Sequence, residues 1–215
     1  MVASLVPQGV NCADIGADHG YLISSLVLKN IINYGYACEN KVGPFKRLKN
    51  NVESLNLSDK VYCDLSDGIR TLPKEFNCVI IAGMGGDTVN EIISYSKEKL
   101  ENIEYFIISS HSKMNEVRKY LSSNSYSIID EKACFDANQY YEVTLFKKGV
   151  NQYSDFELEY GPILLKNKDR NLLINIENKI NFNHNLLKKQ NIPETRKDQI
   201  LHENFELNKI IELIK

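Results

Sequence analysis

No C-x-x-C pair occurs among the five cysteines, Cys12, Cys38, Cys63, Cys78 and Cys134. That argues against a structural zinc site, and the odd count without paired spacing points to reduced, mostly buried thiols and no metal. Long apolar runs and a signal-peptide pattern are also missing, so neither a membrane span nor secretion is expected, and a cytoplasmic location is. Net charge is only −2. This excludes a strongly basic nucleic-acid coat and leaves room for a local basic face. The string G-x-G-x-x-G is absent from the first candidate ligand turn, which weakens a nicotinamide-dinucleotide reading.

What is present is ordinary for a globular chain: 43% hydrophobic and 25% charged residues in 215. That length holds one full domain and a small appendage. The informative stretch is Ala13-Asp14-Ile15-Gly16-Ala17-Asp18-His19-Gly20-Tyr21, between an apolar approach from Val10 and an apolar run from Leu22 to Leu28. It reads as strand, glycine turn and helix. Glycine lets backbone approach a ligand without a Cβ in the way, and the helix start offers unpaired N–H groups. Two acids, Asp14 and Asp18, would repel a pyrophosphate. They suit a ligand with positive charge, such as the sulfonium and amino groups of S-adenosylmethionine. Asp18 could alternatively cap the first helix.

Further along, the pattern predicts strands at 10–15, 34–39, 61–65, 78–82 and 105–109, alternating with helices. The helices are expected at 20–31, from Gly43-Pro44 with Leu48, Val52 and Leu55 as its apolar stripe, at 69–72, from a capping Asp87 through Tyr95, and around Val117 and Leu121. Strands at 126–134 and 140–146, joined by a loop at 135–139, read as an antiparallel pair at the sheet edge. Residues 1–9 are a stub in which Ala3, Leu5 and Val6 could end a helix. Glu39 closes the second strand roughly 20 residues after the glycine turn, where doubly wound folds place a carboxylate on ribose hydroxyls. Gly83-Met84-Gly85-Gly86 follows a strand buried on both faces and implies close backbone approach to a ligand. Lys46, Arg47 and Lys49 form a polar face that suits either phosphate or solvent.

After Gly149 the period changes. Leu173, Ile176, Ile180 and Leu187, then Ile200, Leu207, Ile211 and Ile214, predict two antiparallel helices in coiled-coil-like contact, broken at Asn191-Ile192-Pro193. The division is therefore a Rossmann-like unit at 1–149 and a helical unit at 150–215. From Lys147 onward the charge is +2, and before it −4. The tail is thus the better anionic-partner surface.

The string D-I-G-x-D-H-x-Y at 14–21, together with Ala82-Gly83-Met84-Gly85-Gly86, resembles the bacterial tRNA (adenine(22)-N1)-methyltransferase family. Gly43-Pro44, Ser66-Asp67-Gly68, Tyr141-Glu142-Val143 and Tyr160-Gly161-Pro162-Ile163-Leu164 extend the likeness over nearly the whole chain. The resemblance implies an α/β fold, a Rossmann-like class I methyltransferase sheet with a C-terminal helical, coiled-coil-like hairpin. It implies S-adenosylmethionine as cofactor, tRNA as partner, and methylation of N1 of an adenine in the D-arm. Carried over by motif, the cofactor contacts are Asp14, Gly16, His19, Gly20, Glu39, Asn40, Asp67, Gly68, Ala82, Gly83, Met84 and Gly85. Asp18 is the acid expected nearest the methyl-transfer point and the catalytic candidate. Lys46, Arg47, His111 and Lys113 are the substrate candidates. Two departures stand out: Ile23 replaces a proline, and Ser110-His111-Ser112 replaces Q-P-N. The family also carries a further N-terminal helix, of which residues 1–9 match only part. Two other readings are a methyltransferase for a small molecule or protein, and a catalytically silent RNA-binding scaffold.

Overall fold

Seven strands form one sheet in the order β3-β2-β1-β4-β5-β7-β6. They are β1 (Cys12–Ile15), β2 (Gly35–Glu39), β3 (Val61–Leu65), β4 (Cys78–Met84), β5 (Tyr105–Ser110), β6 (Tyr126–Asp136) and β7 (Gln139–Lys148). The structure is a computed structural model and describes residues 1–189 and 192–214. β1 to β5 run parallel, and β7 pairs antiparallel with both β5 and β6. This is the doubly wound sheet closed by a hairpin that the alternation of elements predicts.

Alternation along each strand divides the core into two layers. Ala13, Ile15, Val79, Ile81, Phe106 and Ile108 face α3 (Gly86–Ser94) and α4 (Met114–Ser123), meeting Val89, Ile93, Val117 and Leu121. Cys12, Ala37, Ile80 and Ile107 face α1 (Tyr21–Leu28) and α2 (Val42–Ser54), meeting Ile23, Leu26, Leu48 and Val52. Period two therefore puts Asp14 on the α1–α2 side. Cys12, Cys38 and Cys78 are buried, whereas Cys63 and Cys134 are half-buried.

Several local expectations are corrected. α1 stops at Leu28, because the chain turns left-handed at Asn30 (φ 53°). Residues 69–71 form a turn, and no helix is found at 69–72. Leu55 is not in the stripe of α2; it is the exposed C-cap residue. α3 is capped by the backbone of Gly85, and Asp87 instead lies in its first turn. The loop at 135–139 shrinks to Ala137-Asn138, both at positive φ (45° and 64°), the geometry of a tight hairpin turn that follows strand twist. The stub at the N-terminus is a single 3-10 turn, Val2–Leu5.

Among its described residues the tail holds four helices where two were expected: α5 (Asp155–Tyr160), α6 (Pro162–Lys166), α7 (Arg170–Leu187) and α8 (Glu194–Ile214). Ser154 and Glu157 form a reciprocal capping box on α5, and the Asp169 side chain caps α7. α8 folds back on α7 along Leu172, Ile176, Ile180 and Asn183 facing Ile200, Asn204, Leu207, Ile210 and Ile214. Leu173 and Leu187 are only half-buried beside this seam. Asn183 donates to Asn204 Oδ1 across it at 2.9 Å. Of the expected helix break, Ile192 and Pro193 are non-helical, while Asn191 lies outside the described residues.

Residues 150–167 are fastened to the sheet by Arg118, which has no exposed surface. Its Nε donates to Glu131 Oε1 at 2.8 Å and its NH2 to Glu142 Oε2 at 2.6 Å. NH1 donates to the Leu158 carbonyl at 3.2 Å. Glu131 Oε2 in turn accepts the Ile163 N–H at 2.9 Å. Every charge in the group has partners, which is the condition for a buried ion cluster to be tolerated. Arg118→Ala leaves two glutamates without their cation. We expect it to cost about 3–5 kcal/mol in urea denaturation at pH 7. A loss below about 1 kcal/mol would show that solvent or the tail replaces the guanidinium.

Candidate active site

The loop between β1 and α1 alternates left-handed residues: Gly16 (φ 73°), Asp18 (φ 46°) and Gly20 (φ 69°). At Gly16 this conformation excludes most side chains, and an added Cβ would also overlap Met84 Cε. The loop is registered on the end of β2. Gly16 and Ala17 both donate to the Cys38 carbonyl, at 3.0 and 3.1 Å, and the Asp18 N–H donates to Glu39 Oε1 at 2.6 Å.

Beside this loop, at the carboxyl ends of β1 to β4, is a cavity of about 330 Å³. It sits where sheet order reverses between β1 and β4, the usual ligand crevice of open α/β sheets. Of the expected cofactor contacts, Gly16, Glu39, Asn40, Asp67, Gly68, Ala82, Gly83 and Met84 line it. Asn40 Nδ2 donates to Asp67 Oδ1 at 3.3 Å, joining two of these residues. Sequence reasoning missed Ser66, Arg70, Thr88, Glu91, Ile92 and Tyr95, which also line it. Four of them recur on α3 and its C-cap at steps of three, one and three, which is one helical face and was readable as such.

Asp14 does not line the cavity. It is 6% exposed, one strand position below the lining residue Ile15, and makes no side-chain hydrogen bond among the described residues. Burial pushes its carboxyl up to about 7, and the neighbouring Glu39 charge adds to the rise. A buried carboxyl without a partner, beside a cavity, fits a cationic group better than a neutral or anionic one.

Asp18, His19, Gly20 and Gly85 likewise lie outside the cavity lining. Asp18 is no helix cap: the N-cap of α1 is Gly20, without any side-chain cap bond. The Asp18 carboxylate is 63% exposed, 3.5 Å from Arg47 NH2 and 3.8 Å from His19 Nε2. His19 stacks on Tyr21 with centroids 5.2 Å apart. Arg47 and Lys46 are exposed on α2. On the other side of Gly83 lies the turn after β5. His111 donates its N–H to the Met84 carbonyl at 3.0 Å, and its ring meets Tyr141 edge-on at 6.0 Å. Gly86 is wedged there: a Cβ would sit 2.6 Å from the Lys113 carbonyl oxygen and 2.7 Å from that of Ser112. Lys113 is paired with Asp87 at 2.6 Å. The structure thus brings most of the expected cofactor residues to one cavity. None of the four expected substrate residues lines it; Lys46 and Arg47 are on α2, and His111 and Lys113 are on the turn after β5.

Comparison with known proteins agrees with this geometry. Residues 1–144 match a family model described as a methyltransferase domain. The tRNA (adenine(22)-N(1))-methyltransferase of Bacillus subtilis is 32% identical over 175 residues, covering 78% of this chain and 74% of that protein. The structure of M. capricolum TrmK, in complex with S-adenosyl-homocysteine, is 27% identical, with a TM-score of 0.87 over 100% of this chain and 96% of that one. The crystal structure of the B. subtilis m1A22 tRNA methyltransferase TrmK is 28% identical, with a TM-score of 0.81 over 99% of this chain and 94% of that one. With sequence and structure in agreement, this chain belongs to the tRNA (adenine(22)-N1)-methyltransferase family.

Proposed function

We propose that this chain methylates N1 of adenine 22 in the D-arm of tRNA, using S-adenosylmethionine. The observation that carries the reading is the cavity at the β1/β4 reversal, lined by Gly16, Glu39, Asp67 and Gly83, with Asp14, a buried carboxyl that makes no hydrogen bond among the described residues, one strand position before the lining residue Ile15. The cofactor supplies an electrophilic methyl group. Asp14 accepts the cofactor's ammonium, Glu39 accepts from ribose hydroxyls through its second oxygen, and the Gly16 and Gly83 backbones permit close approach. Asn40, Asp67 and Gly68 complete the cofactor side, with His19, Gly20 and Gly85 acting through the loops they shape.

N1 of adenine carries an in-plane lone pair at neutral pH, so no proton need be removed before attack. The product ring is cationic. The site therefore needs alignment and negative potential more than a strong base. Asp18 fits that role by accepting from the exocyclic amino group; its pair with Arg47 is exposed and weakly held. Flipping the target base out of its stack costs a few kcal/mol. Contacts from Lys46, Arg47, His111, Lys113 and tail lysines to the tRNA offset it. We place the coiled-coil-like hairpin of the 150–215 unit against tRNA, and the Arg118 cluster supports the start of that unit on the sheet of the 1–149 unit. The cytoplasm, where tRNA is matured, is the location that goes with this reading.

The direct test is methylation of unmodified tRNA with the modified nucleoside identified: N1-methyladenosine at position 22 is expected, and a product at another base overturns the assignment. Asp18→Asn should lower turnover about 10²-fold with little change in cofactor affinity or Tm. Near-normal turnover would remove Asp18 from the chemistry. Shortening the chain to residues 1–167 keeps the Arg118 partners. This variant should bind cofactor but show weaker tRNA binding with a flatter salt dependence. An unchanged salt slope would place the phosphate contacts on the sheet unit alone. Asp14 gives a stability test. With its folded pKa near 7 and its ordinary value at 3.8, the folded state holds a proton between those values that the unfolded chain has lost. Stability therefore falls as pH rises from 3.8 to 7. Asp14→Asn should raise Tm at pH 8, leave it unchanged at pH 4, and weaken cofactor binding. A lower Tm at pH 8 would mean that the ionised carboxylate has a partner.

A further inference from the structure

Of the residues at left-handed φ in the loop after β1, Asp18 alone carries a side chain. Gly16 and Gly20 adopt that conformation freely, while a non-glycine residue is held there only by its surroundings. Two kinds of contact reach Asp18. Its carboxylate meets Arg47 and His19 at 3.5 and 3.8 Å, both exposed and weakly held. Its backbone N–H donates to Glu39 Oε1 at 2.6 Å. Glu39 is 9% exposed, so this is a charge-assisted bond shielded from water and the stronger of the two. The same carboxylate lines the cofactor cavity, and its Oε2 makes no hydrogen bond among the described residues. One oxygen of Glu39 thus faces the loop and the other is open to a ligand.

We propose that Glu39 is a positioning residue for Asp18 in addition to a cofactor contact. By holding the Asp18 N–H it fixes the left-handed turn that aims the Asp18 carboxylate, and it links filling of the cavity to placement of the group that meets the target base. A ribose hydroxyl on Oε2 restrains the Glu39 side chain further, so the loop is more ordered with cofactor bound than without. Loss of the latch lets residue 18 relax toward negative φ, which swings its carboxylate away even when the cavity is full.

The turnover half of this proposal rests on the methyl-transfer reading, whereas the loop half rests on geometry alone. Two measurements separate them, each on Glu39→Ala and Glu39→Gln of the full chain. The first is amide hydrogen exchange at residue 18 without cofactor, with the β4 amide of Ile80 as the internal reference for global opening. Exchange should be at least tenfold faster in Glu39→Ala and slowed again in Glu39→Gln, whose side-chain carbonyl can accept the same N–H. The second is kcat at saturating S-adenosylmethionine. It should stay at least tenfold low in Glu39→Ala and return to within a few-fold in Glu39→Gln, although the KM for cofactor stays raised in both. A residue that only touches ribose would move KM and leave kcat intact, and one that only stabilises the fold would move the Ile80 reference too. Unchanged exchange at residue 18 in Glu39→Ala, or full kcat at saturation, overturns the proposal. If the unaltered protein methylates no tRNA, the methyl-transfer reading fails and the exchange result still decides the latch.

Discussion

The end of β2 governs the site. Three successive amides of the loop after β1, those of Gly16, Ala17 and Asp18, end on two residues, Cys38 and Glu39. These three bonds hold the loop in the conformation with left-handed turns at 16, 18 and 20. That shape opens the cavity above β1 and holds Asp18 outside it. β1 also supplies Asp14, a carboxyl with no hydrogen-bond partner among the described residues, buried where it favours a positive neighbour. Such a group weakens the empty fold and strengthens the fold that holds a cation, the pattern expected where function is kept at a cost in stability.

The frame was legible because it rests on period and punctuation. Apolar runs broken by glycine turns predicted the five parallel strands, and the terminal hairpin was read from two β-rich runs. The boundaries that failed did so for local reasons. Asp87 looks like a helix cap, yet the cap is Gly85, two residues earlier, with Gly86 wedged against the turn after β5, and Asp87 pairs with Lys113 instead. The site was legible where glycines and strand-end acids mark it, at Gly16, Glu39, Asp67 and Gly83. It was opaque where lining comes from a helix face, as with Thr88, Glu91, Ile92 and Tyr95, although their spacing carried the signal. The Asp18 bond to Glu39 had no sequence signal, since a backbone donor depends on fold and not on residue type.

The tail illustrates a different limit. Its long helices showed in the 3.6 period, but α5 and α6 are too short to show one. The S-x-x-E string at Ser154 and the proline at 162 announce them instead. These short helices matter because they supply the Leu158 carbonyl and the Ile163 N–H that complete the Arg118 cluster. Glu142 in that cluster also accepts, through its carbonyl, the Ser109 hydroxyl at 2.9 Å. The short helices are thereby linked through β7 to β5, the strand that leads into the His111 turn.

The assignment of the cavity to a cationic cofactor is tested most directly by counting protons on binding. Asp14 near 7 is mostly protonated at pH 6, and the proposed pairing with the ammonium of S-adenosylmethionine requires it ionised. Calorimetric titration in two buffers of different ionisation heat at pH 6 should therefore show release of close to one proton per cofactor, and release should be absent in Asp14→Asn. Binding with no proton release at pH 6 would contradict the pairing of Asp14 with the cofactor, and with it the electrostatic basis of the site.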